Sequence, residues 1–230
     1  MSRFLKPRAV MFPPIRSRSR GAGRDRTLEL GIKRGFDFSA ALTLLVLLAP
    51  LILVLAIVIR SHDGGPALFR QMRIGRRGKP FHCWKFRTMA RDAEQALERV
   101  LQSDPVAAKE WKDSQKLSHD PRITGVGHFL RRSSLDELPQ LFNIIAGEMS
   151  FVGPRPIVQS ERDRYGESFA HCFSVTPGLT GLWQITGRSD SSYAARVALD
   201  SRYASEWDFL LDTKILLKTV PAVLSQRGSR

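Results

Sequence analysis

From Phe38 to Ile59 the chain runs for 22 residues without a charge, between Asp37 and Arg60. As one helix this segment would be about 33 Å long, enough to fill the hydrocarbon core of a bilayer. It begins too late and runs too long for the apolar part of a secretory signal, and no small-residue cleavage site follows it. The protein is therefore expected to be membrane-bound. Its flanks constrain how. Ten Lys and Arg residues between Arg3 and Arg34 are opposed only by Asp25 and Glu29, and eight between Arg60 and Arg87 only by Asp63. Cationic flanks favour the cytoplasmic side, and here both flanks make that demand. Pro50 lies near the middle, where it removes a backbone hydrogen bond and bends a helix. A re-entrant helix-break-helix over 31–60, breaking at Pro50, satisfies both flanks; a kinked transmembrane helix with a basic tail outside is the competing arrangement.

The overall charge narrows the partners. Lys and Arg total 36 against 22 Asp and Glu, a net +14, so a polyanion is expected nearby: nucleic acid, anionic lipid or a phosphorylated substrate. Two cysteines, Cys83 and Cys172, build no disulfide framework and fit a reducing compartment. Each follows a histidine, but adjacent ligands are poor chelate spacing for zinc, so packing is the expected role. Residues 1–30, rich in Arg, Ser and Pro, read as a disordered basic arm suited to anionic lipid. Residues 61–230 read as one soluble-facing domain.

Within that domain Ala67–Ile74 and Pro80–Thr88 read as strands joined around Gly75-Arg76-Arg77-Gly78. Alternation puts Lys85 and Arg87 on one face and Trp84 and Phe86 on the other. A helix is expected over 91–102, and another over 201–219 stopped by Pro221. The second carries Trp207, Leu210, Leu211, Ile215 and Leu217 beside Lys214 and Lys218, a pattern that suits a core helix or one at the bilayer interface.

The chemistry concentrates in Ser134-Leu135-Asp136-Glu137-Leu138-Pro139-Gln140. Ser134 and Glu137 have the spacing of an N-terminal capping box, which would set two carboxylates at a helix start behind Arg131 and Arg132. Such a terminus favours phosphate and keeps a carboxylate ionised. An ionised Asp beside cations can form an acyl phosphate; a purely capping role for both acids is the alternative. Gly153-Pro154-Arg155-Pro156 presents Arg155 on a stiff backbone. Pro177 to Gln184, followed by Gly187-Arg188, supplies turns, an aromatic surface and a cation that could hold a nucleotide or simply form a loop.

Taken in order, these pieces resemble the bacterial sugar transferase family, the monotopic phosphoglycosyl transferases. The match is carried by the proline-broken apolar segment, Lys85-Phe86-Arg87-Thr88-Met89, Asp120-Pro121-Arg122, Arg131 to Gln140, Gly153 to Pro156, Pro177 to Arg188 and the tail Trp207, Asp212 and Lys218-Thr219, over about 32–225. Within the family the chain is similar to the undecaprenyl-phosphate galactose phosphotransferases of exopolysaccharide synthesis. The resemblance implies an α+β fold: a helix-rich single catalytic domain with a small β-hairpin or sheet, the re-entrant helix and interfacial amphipathic helices. It implies transfer of a hexose 1-phosphate from a UDP-sugar, galactose before glucose, to undecaprenyl phosphate at the cytoplasmic face of the bacterial inner membrane, with release of UMP. Asp136 would be the nucleophile and Glu137 a Mg²⁺ ligand or proton handler, both carboxylates belonging to the metal site. Lys85, Arg87, Arg131, Arg155, Gln184 and Arg188 would bind substrate. Ala49 stands where small relatives often place Ser before the proline, which alters the bend. Larger relatives add transmembrane helices ahead of the catalytic unit, so a minimal form is implied, with a homo-oligomer left open. The competing class is a membrane-anchored basic protein that binds nucleic acid or lipid, or serves as a scaffold. No nucleic-acid motif appears and the central carboxylates would repel such a ligand, so no nucleic-acid partner is expected.

Overall fold

A computed structural model describes residues 26–114, 117–186 and 192–224. Helix α1 (Arg26–Asp63) opens the fold and is followed by the antiparallel hairpin β1 (Leu68–Ile74) and β2 (Pro80–Phe86). The hairpin register pairs Leu68 with Phe86 and Ile74 with Pro80, as the period-two reading expects. Then come α2 (Ala93–Ser103), α3 (Pro105–Ser114), α4 (Gly125–Ser133), α5 (Gln140–Ala146), β3 (Ser150–Val152), α6 (Ser168–Cys172), β4 (Gly178–Thr180), α7 (Leu182–Thr186), α8 (Tyr193–Glu206) and α9 (Phe209–Leu224). Strands β3 and β4 pair in parallel. The architecture is the helix-rich α+β arrangement with small sheets that the sequence implied.

Helix α1 is one helical run of 38 residues that includes Pro50 and begins at Arg26, inside the segment read as a basic arm. What holds α1 is a seam along its length. Lys33, Asp37 and Ala41 are buried, Leu45, Leu48 and Ile52 are half-buried, and Leu55 and Ile59 are buried again. These steps of three and four keep one helical stripe on the domain. Ala41 and Leu45 pack with Phe81, Cys83, Leu141, Ile144 and Met149; Leu55 and Ile59 pack with Phe86 and Leu130. The rest of α1 is bare: Val46, Leu47, Leu53 and Ile57 are all more than half exposed.

The N-terminal half of α1 is also pinned by a buried polar knot. The Lys33 ammonium donates to Asp212 Oδ2 at 2.5 Å and to the Val152 carbonyl at 3.2 Å. Asp212 further accepts from the Tyr203 hydroxyl at 2.8 Å and the Trp207 indole N–H at 3.1 Å. Trp207 is buried and Asp212 needs its neighbours in place, so the single helix expected over 201–219 is instead two, α8 and α9, broken at Trp207–Asp208. Pro221 lies inside α9 rather than ending it. Helix α9 has a buried side and a bare one: Ile215 is fully buried, whereas Leu210 and Leu217 are at least 60% exposed, and the Phe209 ring meets Phe36 of α1 edge-on at 5.8 Å. Cys83 and Cys172 pack in two separate apolar clusters, each as a free thiol.

Candidate active site

The acidic pair is not at a capped helix start. Ser134 ends α4 in the left-handed region (φ 57°, ψ 16°), and its side chain makes no cap hydrogen bond. A short 3-10 turn over Leu135–Glu137 follows, and α5 begins only at Gln140. The capping-box expectation fails because Glu137 has a stronger partner than a backbone N–H. The Lys85 ammonium, brought over on β2, donates to Glu137 Oε1 at 2.7 Å and lies 3.5 Å from Asp136 Oδ2. A charge-assisted bond of this kind outweighs a neutral cap.

Strand β2 is held there by Asn143 on α5. Its side-chain oxygen accepts from the Trp84 N–H at 3.0 Å, and its amide donates to the His82 carbonyl and to Glu148, both at 2.7 Å. This fully buried amide occupies backbone groups of β2 beside Lys85. Helix α4 closes the other side: a Cβ at Gly127 would come within 2.0 Å of the Thr88 carbonyl oxygen, so only glycine permits the approach. From α4, Arg131 Nε donates to Thr88 Oγ1 at 2.9 Å.

The pair is electrostatically unequal. Burial, reinforced by the neighbouring Glu137 charge, raises the Asp136 carboxyl above its ordinary value, while Lys85 and Arg131 pull it down. Burial also works upward on Glu137, but Lys85 and Arg155 outweigh it and hold that carboxyl below the usual range. Burial works downward on Lys85, yet the two carboxylates keep its ammonium above its ordinary value. Two adjacent acids with separated proton affinities are suited to different tasks.

Arg155, whose charge is felt at Glu137, stands on a second layer that is locked backbone to backbone. Gly153 N–H donates to the Thr180 carbonyl at 2.9 Å and Gly178 N–H to the Pro154 carbonyl at 2.8 Å. A Cβ at Gly178 would lie 2.0 Å from Gly153 N, and one at Gly181 2.2 Å from Gly153 O. The glycines of the two motifs thus serve mutual contact, which brings Arg155 to 6.0 Å from the Trp183 ring centroid.

Lys85, Arg131 and Arg155 are therefore gathered around Asp136 and Glu137. Arg87 is committed elsewhere: its guanidinium is bidentate on Asp63, with one bond of 2.6 Å, and its Nε donates to the Pro66 carbonyl at 2.7 Å. That fork ties the end of α1 to β2. Gln184 donates to the Leu179 carbonyl at 3.4 Å, on the loop beside Arg155. Arg188 lies outside the described residues. Sequence reasoning passed over Asn143, Arg73, Glu161 and Arg196; for Arg196 and Asp200 the i,i+4 spacing on one helix was a usable sign.

The site suits a hard cation only in company. Asp136 and Glu137 converge on a single positive group, as two oxygen ligands of Mg²⁺ would, but among the described residues no third metal-ligating side chain joins them. Mg²⁺ commonly takes one or two carboxylates and completes its shell with substrate phosphates and water, so the donor set fits a substrate-dependent ion.

The "Bacterial sugar transferase" family model matches residues 28–226. A UDP-galactose-lipid carrier transferase of Erwinia amylovora is 47% identical over 198 residues, which cover 86% of this chain and 41% of that protein. The exopolysaccharide production protein ExoY of Sinorhizobium fredii is 48% identical over 197 residues, 86% of this chain and 87% of the relative. An undecaprenyl-phosphate galactose phosphotransferase of Salmonella typhimurium is 46% identical over 198 residues, 86% and 41%. The chain thus spans under half the length of two of these relatives and most of the third. Because the match extends from α1 through the acidic turn to α9, taking in the elements that carry Lys85, Arg131, Asp136, Glu137 and Arg155, this chain belongs to the bacterial sugar transferase family.

Proposed function

We propose that the protein transfers a hexose 1-phosphate from a UDP-sugar to undecaprenyl phosphate, as a membrane step of exopolysaccharide synthesis. UDP-galactose is the first candidate donor and UDP-glucose the second. The names of the relatives support the donor, the lipid carrier and the pathway class. The observation that carries the chemistry is the convergence of Asp136 and Glu137 on Lys85, with Arg131 and Arg155 within electrostatic reach.

In this reading Asp136 attacks the β-phosphorus of the donor. An aspartyl O–P bond forms while the bond from that phosphorus to the bridging oxygen breaks, and UMP leaves with the electron pair. A phosphate oxygen of undecaprenyl phosphate then attacks the same phosphorus and displaces the aspartyl carboxylate, giving the lipid diphosphate sugar. Both substrates are anionic, so Lys85 and Arg131 offset their repulsion and the charge that builds in line, while Arg155 meets the donor diphosphate. Lys85 and Arg131 oppose burial and favour the ionised Asp136 that attack requires. Glu137, held ionised, shares with Asp136 the task of holding Mg²⁺, which when bound neutralises diphosphate charge. Trp183, Gln184 and Arg188 of the 177–188 loop receive the nucleotide.

The same domain grips α1 at Lys33 and at Ile59, about 39 Å apart along the helix. An upright spanning helix would separate these points by more than the hydrocarbon thickness of about 30 Å. This favours α1 lying within one leaflet, with both flanks and the catalytic domain on the cytoplasmic face of the inner membrane. Arranged so, the carboxylates stand at headgroup depth, where the acceptor phosphate lies.

The full chain in nanodiscs with undecaprenyl phosphate and Mg²⁺ should release UMP continuously from one UDP-hexose of a panel. Without acceptor it should release no more than one equivalent. Continuous release without acceptor, or none from any UDP-sugar, would overturn the proposal.

A further inference from the structure

Outside the acidic pair, one buried cation is only partly satisfied among the described residues. Arg196 on α8 is only 7% exposed. Its Nη1 donates to Glu161 Oε1 at 3.3 Å, and its Nε stands 3.9 Å from Asp200 Oδ2, too far for a hydrogen bond. Nε and Nη2 are buried without a hydrogen-bond partner. Three ring faces take their place: the guanidinium carbon is 5.1 Å from the Trp183 centroid, 5.2 Å from Tyr193 and 5.9 Å from Tyr165.

For stability alone this is a poor arrangement, since a well-packed apolar side chain often serves as well as a buried ion pair or better. An apolar residue could not hold an indole by its π-face through a fixed cation. The indole in question is Trp183, over which Arg155 also stands, its guanidinium carbon 6.0 Å from the ring centroid. Glu161 extends the framework, because its other oxygen lies 3.8 Å from Arg73 on β1 and accepts from the Val158 N–H at 3.1 Å. The chain of contact thus runs from Arg196 on α8 through Trp183 to Arg155. Resting on the donor proposed above, we infer that Arg196 is a positioning residue for the donor: it fixes Trp183, and through it Arg155, in the orientation that receives the nucleoside diphosphate. It touches neither the reacting phosphorus nor the lipid acceptor. Its effect belongs to donor affinity rather than to the acceptor or the chemical step.

The test is UDP binding by calorimetry to the full chain in nanodiscs, which needs no turnover, alongside KM for donor and for acceptor. Arg196→Met should weaken UDP binding about thirtyfold, the size of a desolvated cation–π contact, and raise donor KM in step while acceptor KM and kcat stay within twofold. Arg196→Lys keeps the charge but lacks the planar group, and should weaken UDP binding nearly as much. Trp183→Leu should do the same, and adding Arg196→Met to it should cost little more. Unchanged UDP affinity in Arg196→Lys and Trp183→Leu, additive losses, or equal shifts in both KM values would overturn the inference while leaving the transferase reading intact. A wild-type chain that does not bind UDP would overturn both.

Discussion

Asp212 belongs to the tail pattern shared with the family, yet the structure gives it a mechanical task. Its carboxylate is 5% exposed and accepts from Lys33, Tyr203 and Trp207, which come from α1, α8 and the α8–α9 corner. Asp212→Ala would leave an ammonium, a hydroxyl and an indole N–H buried around a hole. Breaking a buried ion pair costs about 3–5 kcal/mol, and the Val152 carbonyl that still serves Lys33 and Tyr203 recovers part of the hydrogen-bond loss. At about 2–4 °C per kcal/mol for a chain of this size, the apparent Tm should fall by about 10 °C. Asp212→Asn, which keeps two acceptor lone pairs and the volume, should lose roughly half as much. Thermal unfolding in nanodiscs, read beside UMP release per folded molecule at low temperature, separates the two roles. The account predicts a large Tm loss with near-normal activity of what remains folded. A variant that melts like the wild type but does not turn over would refute it and place Asp212 in the chemistry.

Further expectations follow from the same geometry. Gly178→Ala forces a methyl against Gly153 N, where 2.0 Å is available, so the two interlocked loops must part; a loss of about 3 kcal/mol or more and of UDP binding is expected in calorimetry and unfolding. Asp200 is 1% exposed, and burial pushes its carboxyl up to about 6, from an ordinary 3.8, against the Tyr165 hydroxyl and Arg196. Between those two values the folded state binds more protons than the unfolded one, so this group makes stability fall as pH rises from 4 to 6, by about 2–3 kcal/mol. The Tm of Asp200→Asn should therefore gain on the wild type over that interval, and a pH-independent difference would contradict the assignment. Cysteines placed at Leu28 and Ser61, both exposed, should react with an impermeant reagent from the same face of membrane vesicles; opposite faces would mean that α1 crosses.

Much of this molecule was legible because it is local. The β1–β2 hairpin follows from alternation around a Gly-rich turn, and the paired loops from glycines and prolines whose spacing forces tight approach. The adjacency of Asp136 and Glu137 is covalent. What could not be read depends on partners far away in the chain. Ser134 has the spacing of a cap, but Lys85, about fifty residues earlier, takes the Glu137 carboxylate and leaves the serine in a left-handed turn. Arg87 looks like a phosphate ligand beside Lys85, but Asp63 claims it at the end of α1. The knot of Lys33 with Asp212 splits a continuous helical pattern at Trp207, since a corner there lets three donors reach one acid. Proline, a reliable punctuator in the loops, stands inside both α1 and α9.

A covalent glycosyl phosphate on Asp136 is the claim on which the chemistry turns. Mixing the protein with its UDP-hexose in the absence of undecaprenyl phosphate, quenching in acid and digesting for mass spectrometry should reveal a hexose-phosphate mass on the peptide bearing Asp136. That adduct should vanish when the lipid acceptor is added and be missing from Asp136→Asn. An enzyme that turns over yet never carries that mass, or that releases UMP only when both substrates are bound together, would contradict the account.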